Sequence, residues 1–268
     1  MSAEPGMSLD SCVAVVTGGT SGIGLATVRL LLTCGSRVAL CGRSEERVQA
    51  VVEELAESAS RDRVLGLACD VLSKTQVESF AQAVTSRFGD TDVLINNAGQ
   101  SRVSTFESTT DEAWREELDL KFFSIIYPVR AFLPHLERSP RASIVCVNSL
   151  LAVQPEPHMV ATSAARAGVL NLAKSLAVEL APKRIRVNSV LLGTLDSGQW
   201  RRRFKERAPT DVSFEAWLDQ LAREKRIPLG RFGHPEEAAQ AIVYLASPLS
   251  SYTTGAALDV SGGVARHI

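Results

Sequence analysis

Short, wholly apolar runs alternate with longer amphipathic stretches along nearly the whole chain. The first run, Cys12-Val13-Ala14-Val15-Val16, has no polar position, as a strand buried on both faces requires. Leu25, Ala26, Val28, Leu30, Leu31 and Leu32 continue as a buried helix. Arg37-Val38-Ala39-Leu40-Cys41 predicts a second strand. Over residues 45–59, Val48, Val51, Val52 and Leu55 share one face of a helix. Val64-Leu65-Gly66-Leu67-Ala68-Cys69 predicts a third strand, 73–88 a helix, and Val93-Leu94-Ile95 a fourth strand. A further helix ends at Ala131-Phe132-Leu133-Pro134. Ile144-Val145-Cys146-Val147 is a fifth strand, and a proline-marked loop leads from it to a helix carrying Thr162 and Arg166. Residues 187–191 form a sixth strand, and 172–180 and 238–245 read as apolar helix. Strand and helix alternate without linker, repeat or low-complexity segment. The pattern predicts one domain over 9–268, a Rossmann-like, doubly wound parallel sheet of the three-layer α/β/α class.

Composition narrows the setting. The 268 residues are 45% hydrophobic, enough for a large core, and the net charge of −1 recruits neither nucleic acid nor an anionic membrane. No run approaches a membrane span. The first eight residues, MSAEPGMS, lack an apolar region and read as a loose tail rather than a signal. The five cysteines, at 12, 34, 41, 69 and 146, have no CxxC or ligand-like spacing, so they read as core residues of a protein from a reducing compartment. These features point to a soluble, cytoplasmic protein. No His/Cys/Asp cluster has metal-ligand spacing, so no metal is expected.

The first candidate chemistry follows the first strand at once. Thr17-Gly18-Gly19-Thr20-Ser21-Gly22-Ile23-Gly24 is a glycine turn opening a helix. Glycines let the backbone turn tightly and approach a pyrophosphate, which sits on the helix amino end. A dinucleotide would meet Gly18, Thr20, Ser21, Gly22, Ile23 and Gly24. At the end of the second strand an acid would bind the ribose 2′-hydroxyl and repel a 2′-phosphate. Arg43 stands there instead, which favours NADP(H). Asp70, with Val71 beside it, is placed to accept from the adenine amino group or to cap the helix over 73–88.

Thr17-Gly18-x-x-x-Gly22-Ile23-Gly24, Asp70-Val71 and Asn96-Asn97-Ala98-Gly99, in this order and spacing, resemble the short-chain dehydrogenase/reductase family. Ile185-Arg186-Val187-Asn188-Ser189-Val190 is similar to the family's sixth strand. Pro228 to Glu237 and Thr254 to Gly263 resemble its C-terminal signature, so the likeness covers roughly 10–263. The resemblance implies a carbonyl reductase or alcohol dehydrogenase, with Asn97, Ala98 and Gly99 on the cofactor. It also implies four catalytic positions: an asparagine, a serine, a tyrosine and a lysine four residues later. The tyrosine would move the proton, the lysine would bind ribose and lower the tyrosine pKa, the serine would orient the oxygen, and the asparagine would hold a water.

Only the serine is kept. Ser149 lies thirteen positions before Thr162, which stands for the tyrosine; Arg166 stands for the lysine and Lys121 for the asparagine. Arg166 stays charged and can still bond ribose hydroxyls, but it carries no mobile proton near neutrality. An aliphatic hydroxyl such as Thr162 ionises roughly five pKa units above a tyrosine, on the order of 7 kcal/mol against its anion. Lys121, with an ordinary pKa of about 10.4, matches tyrosine closely. Lys121 is therefore expected to give the proton, directly or through water, with Ser149 and Thr162 positioning the oxygen and Arg166 holding the ribose. The competing reading is a solvated lysine beside a site that has lost its chemistry. Neither His158, in an exposed loop, nor Tyr127, on another helical turn, replaces the tyrosine.

In the family, residues 195–227 correspond to a substrate lid. Trp200, Phe204, Phe214, Trp217 and Leu218 are expected to build an apolar pocket wall. The basic run Arg201-Arg202-Arg203, Lys205 and Arg207 is either a solvated face or a site for an anionic substrate. Leu192 stands where the family has proline; Gly193 keeps the turn on the cofactor side, and Thr194 and Ser197 are either contacts to carboxamide or pyrophosphate or ordinary polar loop residues. By resemblance the assembly is a homotetramer or homodimer. Three functions stay open: an NADP(H)-dependent oxidoreductase of a small carbonyl or alcohol, a catalytically silent NADP(H)-binding protein, and a non-redox lyase or isomerase on the same fold.

Overall fold

Strands β1 (Val13–Thr17), β2 (Arg37–Gly42), β3 (Val64–Ala68), β4 (Val93–Asn96), β5 (Ser143–Ser149), β6 (Arg186–Leu192) and β7 (Ala257–Val260) form one all-parallel sheet. Its order is β3-β2-β1-β4-β5-β6-β7. The computed structural model describes residues 8–196, 198–207 and 211–266. The tail expected over 1–8 falls outside them except for Ser8, and so does Ser197.

The side-chain period of two sorts each strand between two cores. Ala14 and Val16 of β1 pack with Val28 and Leu31 of helix α1 (Gly22–Thr33), Val48 and Leu55 of α2 (Glu45–Ser58) and Ile242 of α8 (Pro235–Ala246). Val13 and Val15 face the other way. They pack with Phe80 of α3 (Lys74–Phe88), Ile125 and Phe132 of α4 (Asp111–Leu136) and Val169 of α5 (Val160–Leu180). The result is the three-layer Rossmann-like fold read from the sequence. All five cysteines are buried and unpaired. Among the described residues no helix is long and apolar enough to cross a membrane.

Three details position the site. The chain order turns back between β1 and β4, opening a crevice at the carboxyl ends of the strands. Helix α4 starts at Asp111, capped by the Thr110 hydroxyl accepting from Ala113 N, and so includes Glu117 and Lys121 one turn apart. Helix α5 runs unbroken from Val160 to Leu180, carrying Thr162 and Arg166 on the turns nearest the crevice. The strand β7 was not foreseen. Its burial alternates as in a half-covered edge strand, not as in the continuous apolar runs that mark the others.

Candidate active site

A cleft of about 510 Å³ lies over the carboxyl ends of β1, β2 and β4. Gly18, Thr20, Ser21, Ile23 and Gly24 line it, so the amino end of α1 opens into it. A Cβ on Gly24 would come within 2.2 Å of Gly18 O, and Gly18 holds a φ of +66°. At Gly18 and Gly24 the turn therefore admits no side chain and presents bare backbone. Gly22, at φ +53°, shapes the turn without facing the cleft. Asn97 ties this turn to β4: its Nδ2 donates to Thr17 O at 3.0 Å and Gly18 O at 3.1 Å. Ala98 and Gly99 continue the wall.

At the far end the cleft is lined by Gly42, Arg43, Ser44 and Arg47, with Asp70 and Val71 opposite. Arg47, which sequence reasoning missed, lies one turn into α2, whose cap is Ser44. Two guanidinium groups and no acid at the end of β2 suit a phosphorylated ribose. Asp70 does not cap α3. Ser73 accepts from Gln76 N in that role, while Asp70 Oδ1 accepts from Leu72 N at 3.0 Å. The residues present thus fit a dinucleotide with a 2′-phosphate.

The four altered or retained catalytic positions are divided. Arg166 lines the inner end of the cleft; its Nη1 donates to Val147 O at 2.9 Å, and its Nε has no partner among the described residues. Ser149 lines a second cavity of about 160 Å³, with Gly193, Thr194, Trp200, Arg203 and Lys225. Its hydroxyl accepts from Leu151 N at 3.3 Å, which leaves its proton uncommitted by that contact. Gly193 and Thr194 belong to this second cavity, not to the dinucleotide cleft.

Lys121 and Thr162 line neither cavity. Lys121 is 2% exposed and donates to Gln100 O at 2.7 Å and Glu117 Oε1 at 2.6 Å. Thr162 is wholly buried; its hydroxyl lies 2.5 Å from the same Glu117 oxygen and accepts from Arg102 N at 3.3 Å. The expectation that Thr162 holds the carbonyl oxygen does not match this placement. A threonine hydroxyl sits one bond from Cβ, too short to cross into the cavity, and takes the nearest acceptor. Both residues instead peg the backbone of the strap 99–102 that follows β4.

Glu117 was missed, lying on the helix that carries Lys121. The signal was its spacing of four residues before Lys121, which puts both on one helical face. Burial pushes the Lys121 ammonium below the usual lysine range, helped by Arg166 and more weakly Arg102, while Glu117 opposes the shift. Burial likewise pushes Arg166 down to about 10, again opposed by Glu117.

The lid differs from the expected pocket wall. Of its aromatic residues only Trp200 reaches the second cavity. It packs edge-on against Trp217 at 6.0 Å and Phe232 at 5.1 Å, while Phe204 packs on Phe214 and Trp217. Helices α6 (Gly198–Arg207) and α7 (Phe214–Glu224) thus carry a small core of their own. In the basic run, Arg201 pairs with Asp196 at 3.0 Å and Lys205 is exposed; Arg203 stacks on Trp200 and faces the cavity. The side chains of Arg202 and Arg207 lie outside the described residues. His158 is exposed and lines a separate surface groove.

A sequence-family profile described as enoyl-(acyl carrier protein) reductase matches residues 18–265. The chain is 60% identical to a short-chain oxidoreductase of Pseudomonas aeruginosa PAO1 that contains an atypical catalytic center and was solved with NADPH bound. The two structures superpose with a TM-score of 0.94 over 97% of this chain and 99% of that one. L-Sorbose reductase of Gluconobacter frateurii, solved with NADPH and L-sorbose, is 30% identical, with a TM-score of 0.93 and coverage of 98% and 100%. The 3-oxoacyl-[acyl-carrier-protein] reductase of Thermotoga maritima is 33% identical over 261 residues, 96% of this chain and 99% of that protein.

Proposed function

The chain belongs to the short-chain dehydrogenase/reductase family, and on that premise we propose that it is an NADPH-dependent reductase of a small carbonyl compound bearing an anionic group. The observation that carries the reading is that the two cavities adjoin. Ser101 and Leu192 stand in the walls of both, so the dinucleotide cleft, with Arg166 at its inner end, opens beside Ser149.

The nicotinamide, when bound, supplies a hydride to the carbonyl carbon. Ser149 donates a hydrogen bond to the carbonyl oxygen and orients it. Arg166, with an unpartnered N–H in a buried setting, favours negative charge developing on that oxygen and holds the nearby ribose hydroxyls. Lys121 is the group with protons to give, and its lowered pKa favours the transfer. Two of its three N–H groups are committed to Gln100 and Glu117, so its proton reaches the oxygen through water. Arg203 and Lys225 line the same cavity as Ser149, Lys225 paired with Glu156 at 3.9 Å, and the two cations against one carboxylate fit a carboxylate or phosphate on the substrate.

The test is NADPH oxidation across matched charged and neutral carbonyl compounds, beginning with 3-oxoacyl thioesters and keto acids. Turnover is expected with the anionic members, lost in Lys121→Met and Ser149→Ala while both variants still bind NADPH. Turnover surviving in K121M sinks the role given to Lys121. The burial of Lys121 and Thr162 behind the strap favours a second reading, a cofactor-binding protein without turnover. NADPH binding with no oxidation by any carbonyl would select it.

A further inference from the structure

Glu117 is an unusual residue to find where it lies. It is 2% exposed, and a carboxylate so deeply buried is tolerated only when its partners are well placed. One oxygen serves two donors from two helices: Lys121 of α4 at 2.6 Å and Thr162 of α5 at 2.5 Å. Thr162 has a single hydroxyl proton, and an ionised carboxylate is its strongest acceptor, stronger than Arg102 O at 3.2 Å. Glu117 therefore fixes the hydroxyl's direction as well as the ammonium's position. The other charged groups acting on Lys121 are Arg166 from α5 and Arg102 from the strap, both cationic. Without Glu117, two buried cations would be left with backbone carbonyls alone, at Gln100 and Val147.

We propose that Glu117 is the positioning residue of this reaction centre, holding the Lys121 ammonium and the Thr162 hydroxyl in place from a shared carboxylate oxygen. Its part in turnover rests on the reductase reading; its hold on Lys121 does not. Lys121, Glu117 and Thr162 then act as one hydrogen-bonded unit, in which Glu117 favours the protonated form of Lys121 against burial and the two arginines.

The test uses Glu117→Gln, nearly isosteric but uncharged, in the NADPH-bound protein. The first readout is the titration of Lys121, followed by NMR of lysine-labelled protein and assigned with Lys121→Met. Its acid dissociation constant is expected to rise at least tenfold. The second is the pH profile of NADPH oxidation, whose basic limb should move to lower pH by the same amount. At neutral pH kcat should fall at least tenfold with KM within threefold, and NADPH affinity should be unchanged because Glu117 does not line the cleft. A Lys121 titration unmoved in E117Q overturns the proposal, even if the melting temperature drops. If the wild-type protein oxidises no NADPH, the reductase reading fails, and the NMR titration alone still decides for or against Glu117. Should E117Q not fold, Glu117→Asp takes its place with the same readouts: a smaller change in the same direction supports the proposal, and no change overturns it.

Discussion

The dinucleotide cleft and the reaction centre are neighbours built on opposite terms. The cleft is built largely from backbone: a turn with no room for a side chain at Gly18 or Gly24, a helix amino end, and two arginines at the rim. At the altered positions, Arg166 and Ser149 keep the cavity walls while Lys121 and Thr162 have turned away from them and bonded to Glu117. A backbone-built site tolerates few residue types at few positions, so it stays recognisable. A side-chain-built site can be rebuilt by exchanging partners, provided each buried charge ends with a counter-charge. The difference teaches that replaced catalytic positions need not mean a vacated site.

The comparison can be broken most forcefully in the cleft. Gly24→Val pushes a branched side chain into Gly18 O and should lower NADPH affinity by roughly 100-fold or prevent folding, as overpacking against backbone does. Titration calorimetry would show it, and near wild-type affinity would mean that the turn is not backbone-built as described. In the reaction centre, Lys121→Met strips Glu117 of its ammonium and should cost about 3–5 kcal/mol in chemical denaturation. The pH dependence sharpens this. Lys121's folded pKa lies below its unfolded value of 10.5, so between the two the unfolded chain holds the extra proton. Lys121's contribution to stability therefore rises with pH across that window, and K121M should lack this slope.

A smaller effect is expected at the cleft rim. Arg43→Ala removes one charge-assisted contact and should weaken NADPH roughly 10- to 100-fold while leaving NADH nearly unchanged. Equal loss for both nucleotides would deny Arg43 a phosphate role. Smallest is Thr162→Val, which deletes a hydroxyl bonded to Glu117 and the strap but facing no cavity. Stability should fall by about 1 kcal/mol and turnover only severalfold. A loss of 100-fold or more would show that Thr162 meets the substrate after all.

The fold was legible because period-two burial and glycine turns are local properties. The six strands with apolar runs, Cys12 to Leu191, are where the pattern put them; β7, exposed on alternate residues, has no such run. The cleft was legible for the same reason, from Gly18 to Arg43, although Arg47 became visible only when α2 turned it toward the rim. The reaction centre was half legible. Its residue types could be counted out, but a contact between Glu117 and Thr162, 45 positions apart, depends on how α4 packs on α5. The lid aromatics were misjudged because apolar content alone does not say whether a ring faces a cavity or another ring.

The wall shared by the two cavities sets a timetable. Ser101 belongs to the strap, and the same residue bounds both ligands' sites. Whichever ligand arrives first therefore shapes the wall that the second will meet, and on the reductase reading the larger cleft is the dinucleotide's. Steady-state turnover should then follow a compulsory sequence, nucleotide on first and off last. NADP+ would compete with NADPH at any concentration of carbonyl, while the alcohol product would compete with neither substrate cleanly.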